Sequence, residues 1–118
     1  LQRYLNAAEQ LGILPIIYTG LSSGLRQCEL ITLSWADFHV RYRYILKGQR
    51  LLTLNEKAEH LLKRIPETVS SYVFLNPKTE APYQLHEFYY LHKKILKQAR
   101  LPWVAFRDLQ RQCMEVGI

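Results

Sequence analysis

The chain has few acidic residues for its size. Ten Asp and Glu stand against 16 Lys and Arg in 118 residues, which gives a formal net charge of +6. This imbalance favours a polyanionic partner, such as nucleic acid or an anionic membrane surface. The alternative is a basic soluble domain without such a partner. With 48% hydrophobic residues, the length allows one core and not two, so we expect residues 1–118 to form a single domain.

Cysteine is also scarce, and histidine shows no metal-binding pattern. Cys28 and Cys113 each fall in an apolar-periodic segment, so we expect buried thiols, no disulfide framework and a reducing compartment. His86 and His92 are six residues apart, which places them on nearly opposite sides of a helix. The histidine spacing therefore predicts no metal site, and we expect no cofactor.

Long hydrophobic runs are absent as well. The most apolar stretch, "LGILPIIYTGL", has about half the length that a bilayer span needs and is interrupted by Pro15. No signal-peptide pattern opens the sequence. We therefore expect a soluble, cytoplasmic protein without a membrane partner.

Apolar periodicity predicts a mainly helical chain. Residues at helical spacing indicate helices over 1–11, 13–21, 23–33, 56–65, 85–99 and from 105 onwards, with Ser22 or Ser23 capping the third and Asn55 the fourth. Alternation from Phe38 to Leu46, followed by Lys47-Gly48 and "QRLLTL", predicts a β-hairpin with Lys47 at its tip. "YVFL" at 72–75 reads as a short strand. The expected fold class is α+β, mainly α, with helices around a small antiparallel β-hairpin or three-stranded sheet.

The last two predicted helices each combine an apolar line with basic residues. In the helix over 85–99 the apolar residues are Leu85, Phe88, Leu91 and Ile95, and the basic face carries Lys93, Lys97 and Arg100. In the final helix the apolar line is Phe106, Leu109, Cys113 and Val116, and the polar side carries Arg107, Gln110 and Arg111.

Arg26 is placed unusually, in the first turn of the predicted third helix. A helix N-terminus carries partial positive charge, so an arginine there is misplaced unless an anion lies opposite. Phosphate is the usual anion at such a position. The alternative is that Arg26 pairs with Glu29, one turn along, or lies in water.

Four segments in the expected order resemble the catalytic domain of tyrosine recombinases, the phage-integrase family. The stretch "SGLRQCELITLSWADF" matches the family's "TGLRxGEL…L.W.D" at Gly24, Leu25, Arg26, Glu29, Leu30, Leu33, Trp35 and Asp37. "KGQRLLTL" resembles the hairpin "KG.KR.VPL", and "YVFLNPKTEAP" stands where the family has its "vFp" strand. "LPWVAFRDLQRQ" falls where "lp…HDLRHT" is expected, so the resemblance covers nearly the whole chain.

The resemblance implies site-specific cleavage and rejoining of DNA through a 3′-phosphotyrosyl link. In the family, two arginines and a lysine surround the scissile phosphate, and a histidine assists proton transfer. Arg26 then corresponds to the first phosphate-clamping arginine, and Lys47 to the lysine that protonates the leaving 5′ oxygen. The implied partners are double-stranded DNA and other recombinase protomers bound to it, without metal, in a DNA-associated protein of bacterial or phage origin.

The chain departs from the family pattern in its last segment. Arg107 and Gln110 stand where the family has its catalytic histidine and second arginine. Gln110 brings no charge, and losing one charge-assisted stabiliser costs on the order of 3 kcal/mol. Arg111 is one position along, which rotates its side chain by about 100°.

The family pattern also continues further than the given sequence. It runs on through a Gly-His segment to the nucleophilic tyrosine, whereas this sequence ends with "CMEVGI". We expect a C-terminally truncated domain that is inactive by itself. All eight tyrosines precede Arg107, and we expect each to serve core or sheet packing.

Three hypotheses follow from these residues. The first is the DNA-binding core of a recombinase, with Arg26, Lys47, Arg50, Lys93, Lys97 and Arg111 facing DNA. The second is a catalytically inactive relative that binds DNA without cutting it, motivated by Arg107 and Gln110. The third is an interaction module that docks on recombinase subunits, since family members exchange C-terminal segments between protomers.

Overall fold

Helices dominate the structure, a computed structural model that describes residues 1–39, 44–66 and 68–116. The helices are α1 (Gln2–Gln10), α2 (Leu14–Ser23), α3 (Gln27–Ile31), α4 (Glu56–Lys63), α5 (Leu85–Gln98) and α6 (Phe106–Val116), with a 3₁₀ turn at Trp35–Asp37. The strands are β1 (Phe38–His39), β2 (Tyr44–Lys47) and β3 (Arg50–Thr53). The predicted fold class, mainly α around a small antiparallel sheet, is confirmed. Within the described residues, none of these helices is both long and apolar enough to cross a membrane.

Helix α2 is the centre of the core. It packs against α1, α3, α4 and α6, and most of its residues are buried. Gly20 lies where α2 contacts both α3 and α6. A Cβ atom at this position would lie 2.7 Å from Leu30 Cδ2 and 3.1 Å from the Phe106 ring. The absence of a side chain at Gly20 therefore lets both α3 and α6 lie against α2.

The predicted start of the third helix is wrong. Ser22 and Ser23 belong to the end of α2, where their hydroxyls donate to the carbonyls of Tyr18 at 2.8 Å and Thr19 at 2.5 Å. Gly24 then ends α2 with a φ of 78°, a left-handed conformation that glycine adopts without steric cost. The Ser23 Oγ also accepts from the Leu25 N–H at 3.3 Å, but Leu25 precedes α3, whose N-cap is Arg26, so neither serine caps α3.

The sheet has the order β1-β2-β3 with both pairs antiparallel. The alternating segment from Phe38 to Leu46 therefore contributes two strands, β1 and β2, in which Phe38 lies opposite Ile45. Its positions Val40, Arg41, Tyr42 and Arg43 lie outside the described residues. Lys47 lies at the end of the β2–β3 hairpin, as predicted: it is the last residue of β2 and pairs with Arg50 across a turn at Gly48 and Gln49.

The predicted strand at 72–75 is also wrong. Only Tyr72 pairs, in an isolated bridge with Ser34. Val73 and Phe74 are both buried although they are consecutive, whereas successive side chains of a strand point to opposite faces. The segment is a packed loop that covers the core.

The later helices follow most of their predicted patterns. Asn55 caps α4, accepting a hydrogen bond of 2.8 Å from the Ala58 N–H. In α5, Phe88 and Ile95 are buried and Leu91 is half-buried, but Leu85 is exposed because it is the first residue of the helix. In α6 the buried line is Phe106, Leu109 and Cys113; the side chain of Val116 lies outside the described residues.

The cysteine prediction holds for one thiol only. Cys113 is buried, whereas Cys28 is exposed on α3, and both are free. Cys28 faces outward because a helix of five residues has only its Leu30–Ile31 side against the core.

A polar pair is buried within the aromatic part of the core. His92 Nδ1 lies 2.8 Å from the Tyr4 hydroxyl, and Nε2 lies 2.6 Å from the Val104 carbonyl oxygen. A carbonyl only accepts, so Nε2 carries the proton and Nδ1 accepts from the tyrosine. Burial lowers the pKa of His92, opposed by the hydrogen bond to Val104. The neutral ring therefore ties α1 and α5 to the segment that leads into α6.

We expect the free energy of unfolding to fall as the pH drops below about 6.5, the ordinary histidine pKa. The unfolded chain takes up a proton on His92 there, while the folded chain resists it, so acidification favours unfolding. Urea denaturation between roughly pH 7.5 and 5 measures this slope. His92→Asn should flatten the slope, and His86→Asn, at an exposed position of the same helix, should leave it unchanged. An equal slope in the His92 variant would contradict the assignment.

Candidate nucleic-acid interface

Arg26 lies between Gly24 and the first turn of α3, as the N-cap residue, with its side chain exposed. Its backbone N–H donates to Glu29 Oε1 at 2.9 Å. Its guanidinium has no ion pair with a carboxylate in the described part of the chain. Glu29 thus accepts from the backbone of Arg26, and the Arg26 charge lowers the pKa of Glu29 without forming an ion pair with it.

Glu29 also binds Arg50 of β3. The Arg50 Nη1 atom pairs with Glu29 Oε1, and Nη2 lies 3.4 Å from the Gly24 carbonyl oxygen. Burial raises the pKa of Glu29, but the hydrogen bonds from the Arg26 backbone and Arg50, together with the charges of Arg50 and Arg26, outweigh it, so the pKa is lowered. Arg50 therefore joins the hairpin to the α2–α3 junction, and the DNA contact predicted for it stays a prediction.

Gln110 holds the same junction from the other side. Its Nε2 donates to the Gly20 carbonyl at 2.7 Å and to the Leu25 carbonyl at 2.6 Å. The Gly20 carbonyl is one of the last four of α2, which have no partner within their own helix. The predicted polar, outward position of Gln110 is wrong: the side chain is 8% exposed because the α2 terminus needs its donors.

Arg107 and Arg111 lie beside Gln110 and are exposed. They line one surface depression of about 410 Å³ together with Gly24, Gln110, Met114 and Glu115. The structure thus brings the arginines of α6 to the loop that carries Arg26. Both amide hydrogens of Gln110 are occupied by carbonyls, so this side chain does not point a donor towards an anion in the depression.

Lys47 is held away from this depression. Its Nζ donates to the Thr32 carbonyl at 2.9 Å and to Asp37 Oδ2 at 3.3 Å. Burial raises the pKa of Asp37, but the hydrogen bonds from Ser34 and Lys47 and the charge of Lys47 outweigh it, so the pKa is lowered. Thr32 follows the end of α3 and Arg26 precedes its start, about 9 Å along the helix axis. Lys47 and Arg26 therefore lie at opposite ends of α3.

Lys93 and Lys97 lie on α5, which packs against α3. Both are exposed and one helical turn apart, and neither has an ion pair with a carboxylate among the described residues. They do not line the depression of Arg107 and Arg111. They add two exposed cations on a helix that packs against α3.

Two acidic partners were not anticipated in these roles. Glu29 and Asp37 each stand three residues after a helix-start residue, Arg26 and Ser34, and accept from its backbone N–H. That spacing is the signature of a capping residue at the third helical position. The pattern was present in the sequence and identifies both carboxylates as structural.

The prediction that every tyrosine serves packing is also partly wrong. Tyr89 and Tyr90 are exposed on α5, whereas Tyr4, Tyr18 and Tyr83 are buried. The described residues contain no group of three His, Cys, Asp or Glu side chains that is arranged to hold a metal ion.

No protein-family model and no curated protein sequence matches this chain. Among solved structures, the crystal structure of XerA recombinase superposes with a TM-score of 0.75 at 17% sequence identity. The chain has a recombinase fold. The superposition covers 93% of this chain and 44% of the XerA chain, so the sequence spans less than half of that recombinase. The fold expected from the tyrosine-recombinase resemblance is confirmed, and the site roles stay predictions.

Gln110→Leu should destabilise the fold by about 2–3 kcal/mol, because it leaves two buried carbonyls without donors. Gln112→Leu makes the same chemical change at an exposed position of α6 and should stay within about 0.5 kcal/mol of the parent. Urea denaturation of both variants measures the difference. Equal stability of the two variants would show that the Gln110 bonds do not hold the α2 terminus.

Proposed function

We propose that this chain is the DNA-binding part of a tyrosine-recombinase catalytic domain, in which Arg26, Arg107 and Arg111 contact the phosphates of duplex DNA. The recombinase fold and the net charge of +6 support this proposal. The observation that carries it is the exposed guanidinium of Arg26, which forms no ion pair within the described residues and follows Gly24 by two positions. Gly24 lines a depression together with Arg107 and Arg111.

Arg26 differs from the neighbouring cations, and this difference favours it as a phosphate contact. Arg50 is paired with Glu29, and Lys47 is paired with Asp37. These two pairs join the hairpin to α3 and to the turn after it. The positive charges of Arg50 and Lys47 are therefore compensated by carboxylates within the fold. Arg26 keeps its charge and its planar fork of donors, which matches two oxygens of one phosphate.

The chemistry proposed for the site is strand cleavage by a tyrosine, with Lys47 protonating the leaving 5′ oxygen. For that role the Lys47 ammonium must leave Asp37 and the Thr32 carbonyl. Gln110 supplies no positive charge to the transition state, and its donors hold the backbone instead. This occupancy of Gln110 favours the second candidate function, a relative that binds DNA and cuts it slowly or not at all.

Two further parts of the proposal come from the family resemblance alone. They are association with other recombinase protomers on DNA and a cytoplasmic, DNA-associated location.

Binding to a DNA duplex, followed by fluorescence anisotropy, should weaken steeply with added salt because each phosphate contact releases counterions. Arg26→Ala should weaken binding and reduce the slope of log K against log salt by about 0.9. Arg64→Ala removes the same charge from an exposed position after α4 and should change neither value as much. No binding near about 50 mM salt, or equal effects of the two variants, would contradict the proposed interface.

The double substitution Arg107→His with Gln110→Arg tests the catalytic part. In a form of the protein that carries a nucleophilic tyrosine, we expect it to raise covalent trapping on nicked DNA by roughly a hundredfold. Lys47→Ala should abolish that gain. Trapping by the parent sequence at the same rate as the double variant would refute the inactive-relative candidate.

A further inference from the structure

Three large aromatic side chains form an exposed cluster on the surface. Tyr89, Tyr90 and Trp103, here called the aromatic cluster, are 45%, 61% and 57% exposed. The ring centroids of Tyr89 and Tyr90 are 5.7 Å apart, and those of Tyr89 and Trp103 are 5.5 Å apart. Contiguous exposed aromatic surface is uncommon on a domain that functions alone, so the cluster indicates a binding surface.

The cluster is supported by the core. The Trp103 ring packs edge-on against buried His92, with centroids 5.4 Å apart, and His92 packs in turn against Phe106 at 5.6 Å. Both ring nitrogens of His92 are bonded, to Tyr4 and to Val104. Trp103 is therefore held from behind by a fixed ring while more than half of its surface is open.

The aromatic cluster adjoins the proposed phosphate site. A depression of about 120 Å³ is lined by Tyr89 and Trp103 together with Gln27 and Ala105. Gln27 directly follows Arg26, and Ala105 precedes Arg107 by two residues. Tyr89 and Trp103 thus lie between the beginning of α3 and the beginning of α6, the two helix starts that carry Arg26 and Arg107, and Tyr90 lines a neighbouring depression together with Lys94.

The charges around the cluster distinguish between possible partners. Lys93 lies one helical turn after Tyr89 on α5, and Lys97 follows one turn later. Two carboxylates are near in the chain: Glu87 is bonded to Asn76 at 2.7 Å and to the Gln84 N–H at 2.8 Å, and Asp108 is exposed. Aromatic rings beside a row of cations match a nucleic-acid strand, whose bases stack while its phosphates pair.

We propose that the aromatic cluster stacks unpaired nucleobases of a strand whose phosphates lie against Arg26 and the lysines of α5. A duplex keeps its bases paired and stacked inside, so its faces are closed to Trp103 and Tyr90. A single-stranded or gapped segment presents them. This inference rests on the proposed function for the phosphate contacts and adds a second mode of binding to it.

The test compares two probes of equal charge on the protein with Trp35→Phe, which leaves Trp103 as its one tryptophan. The probes are an oligothymidylate and an abasic oligonucleotide of the same length, which has the phosphates but no bases. Oligothymidylate should quench Trp103 fluorescence and bind roughly fivefold to a hundredfold tighter than the abasic strand. Fluorescence anisotropy of labelled probes gives both affinities.

Single substitutions in the protein that keeps Trp35 show which residues cause the preference for oligothymidylate. Trp103→Ala and Tyr90→Ala should each remove most of the preference for the strand with bases, and Tyr90→Ala does so without touching the His92 contact. Tyr72→Ala removes an exposed aromatic ring outside the cluster and should keep the preference. Thermal melts confirm that each variant is folded.

Three outcomes would overturn the inference. Equal binding of both probes with duplex binding intact would refute base stacking and leave the proposed function standing. No binding to either probe or to duplex would refute both. Concentration-dependent self-association that is lost in Trp103→Ala, without a change in oligonucleotide binding, would make the cluster a protein contact instead.

Discussion

The candidate site depends on how α2 ends. Its last carbonyls lack helical partners, and Gly20 allows α6 to come close enough for Gln110 to donate to one of them and to Leu25 beyond it. Gly24 turns the chain through a left-handed conformation, and Arg50 reaches its carbonyl from the hairpin. The junction is therefore fixed from two sides, which determines where Arg26 emerges.

The cations around α3 are divided between those paired within the fold and those without an ion pair among the described residues. Glu29 and Asp37 each neutralise one cation and cap one backbone N–H, and the pKa of each carboxyl is lowered as a result. The remaining arginines of the junction, Arg26, Arg107 and Arg111, form no ion pair with a carboxylate among the described residues, although the Arg26 charge contributes to the lowered pKa of Glu29. In this arrangement Gln110, which stands at the position predicted for a family arginine, donates to the carbonyls of the junction and adds no charge to it.

Much of the fold was predictable from periodicity, and the junction was not. The apolar spacing of α4, α5 and α6 is strong because each has one buried face, and Asn55 is an unambiguous cap. The cap predicted at Ser22 or Ser23 was wrong because a serine hydroxyl also donates to a preceding helix carbonyl, as both do here, and α2 continues to Ser23 before Gly24 ends it. The loop at 72–75 has the composition of a strand, but its single bridge to Ser34 depends on tertiary packing.

The site residues divide in the same way. Arg26 was identifiable from its motif, whereas the partners of Lys47 and Arg50 lie 10 and 21 residues away in sequence and required the folded hairpin. Gln110 is buried because its amide donates to a carbonyl at the end of α2, 90 residues earlier. No local sequence pattern reveals this contact. The exposure of Tyr89 and Trp103 likewise follows from how α5 and the segment before α6 pack.

We propose that the α2–α3 junction and the start of α6 together contact nucleic acid. Amide NMR spectra of the labelled protein, recorded while a short DNA duplex is added, test this interface residue by residue. We expect the amides of residues 24–27 and 107–111 to shift together and to report one dissociation constant. Shifts confined to α4 and the loop at 72–76, with these two segments unchanged, would contradict it.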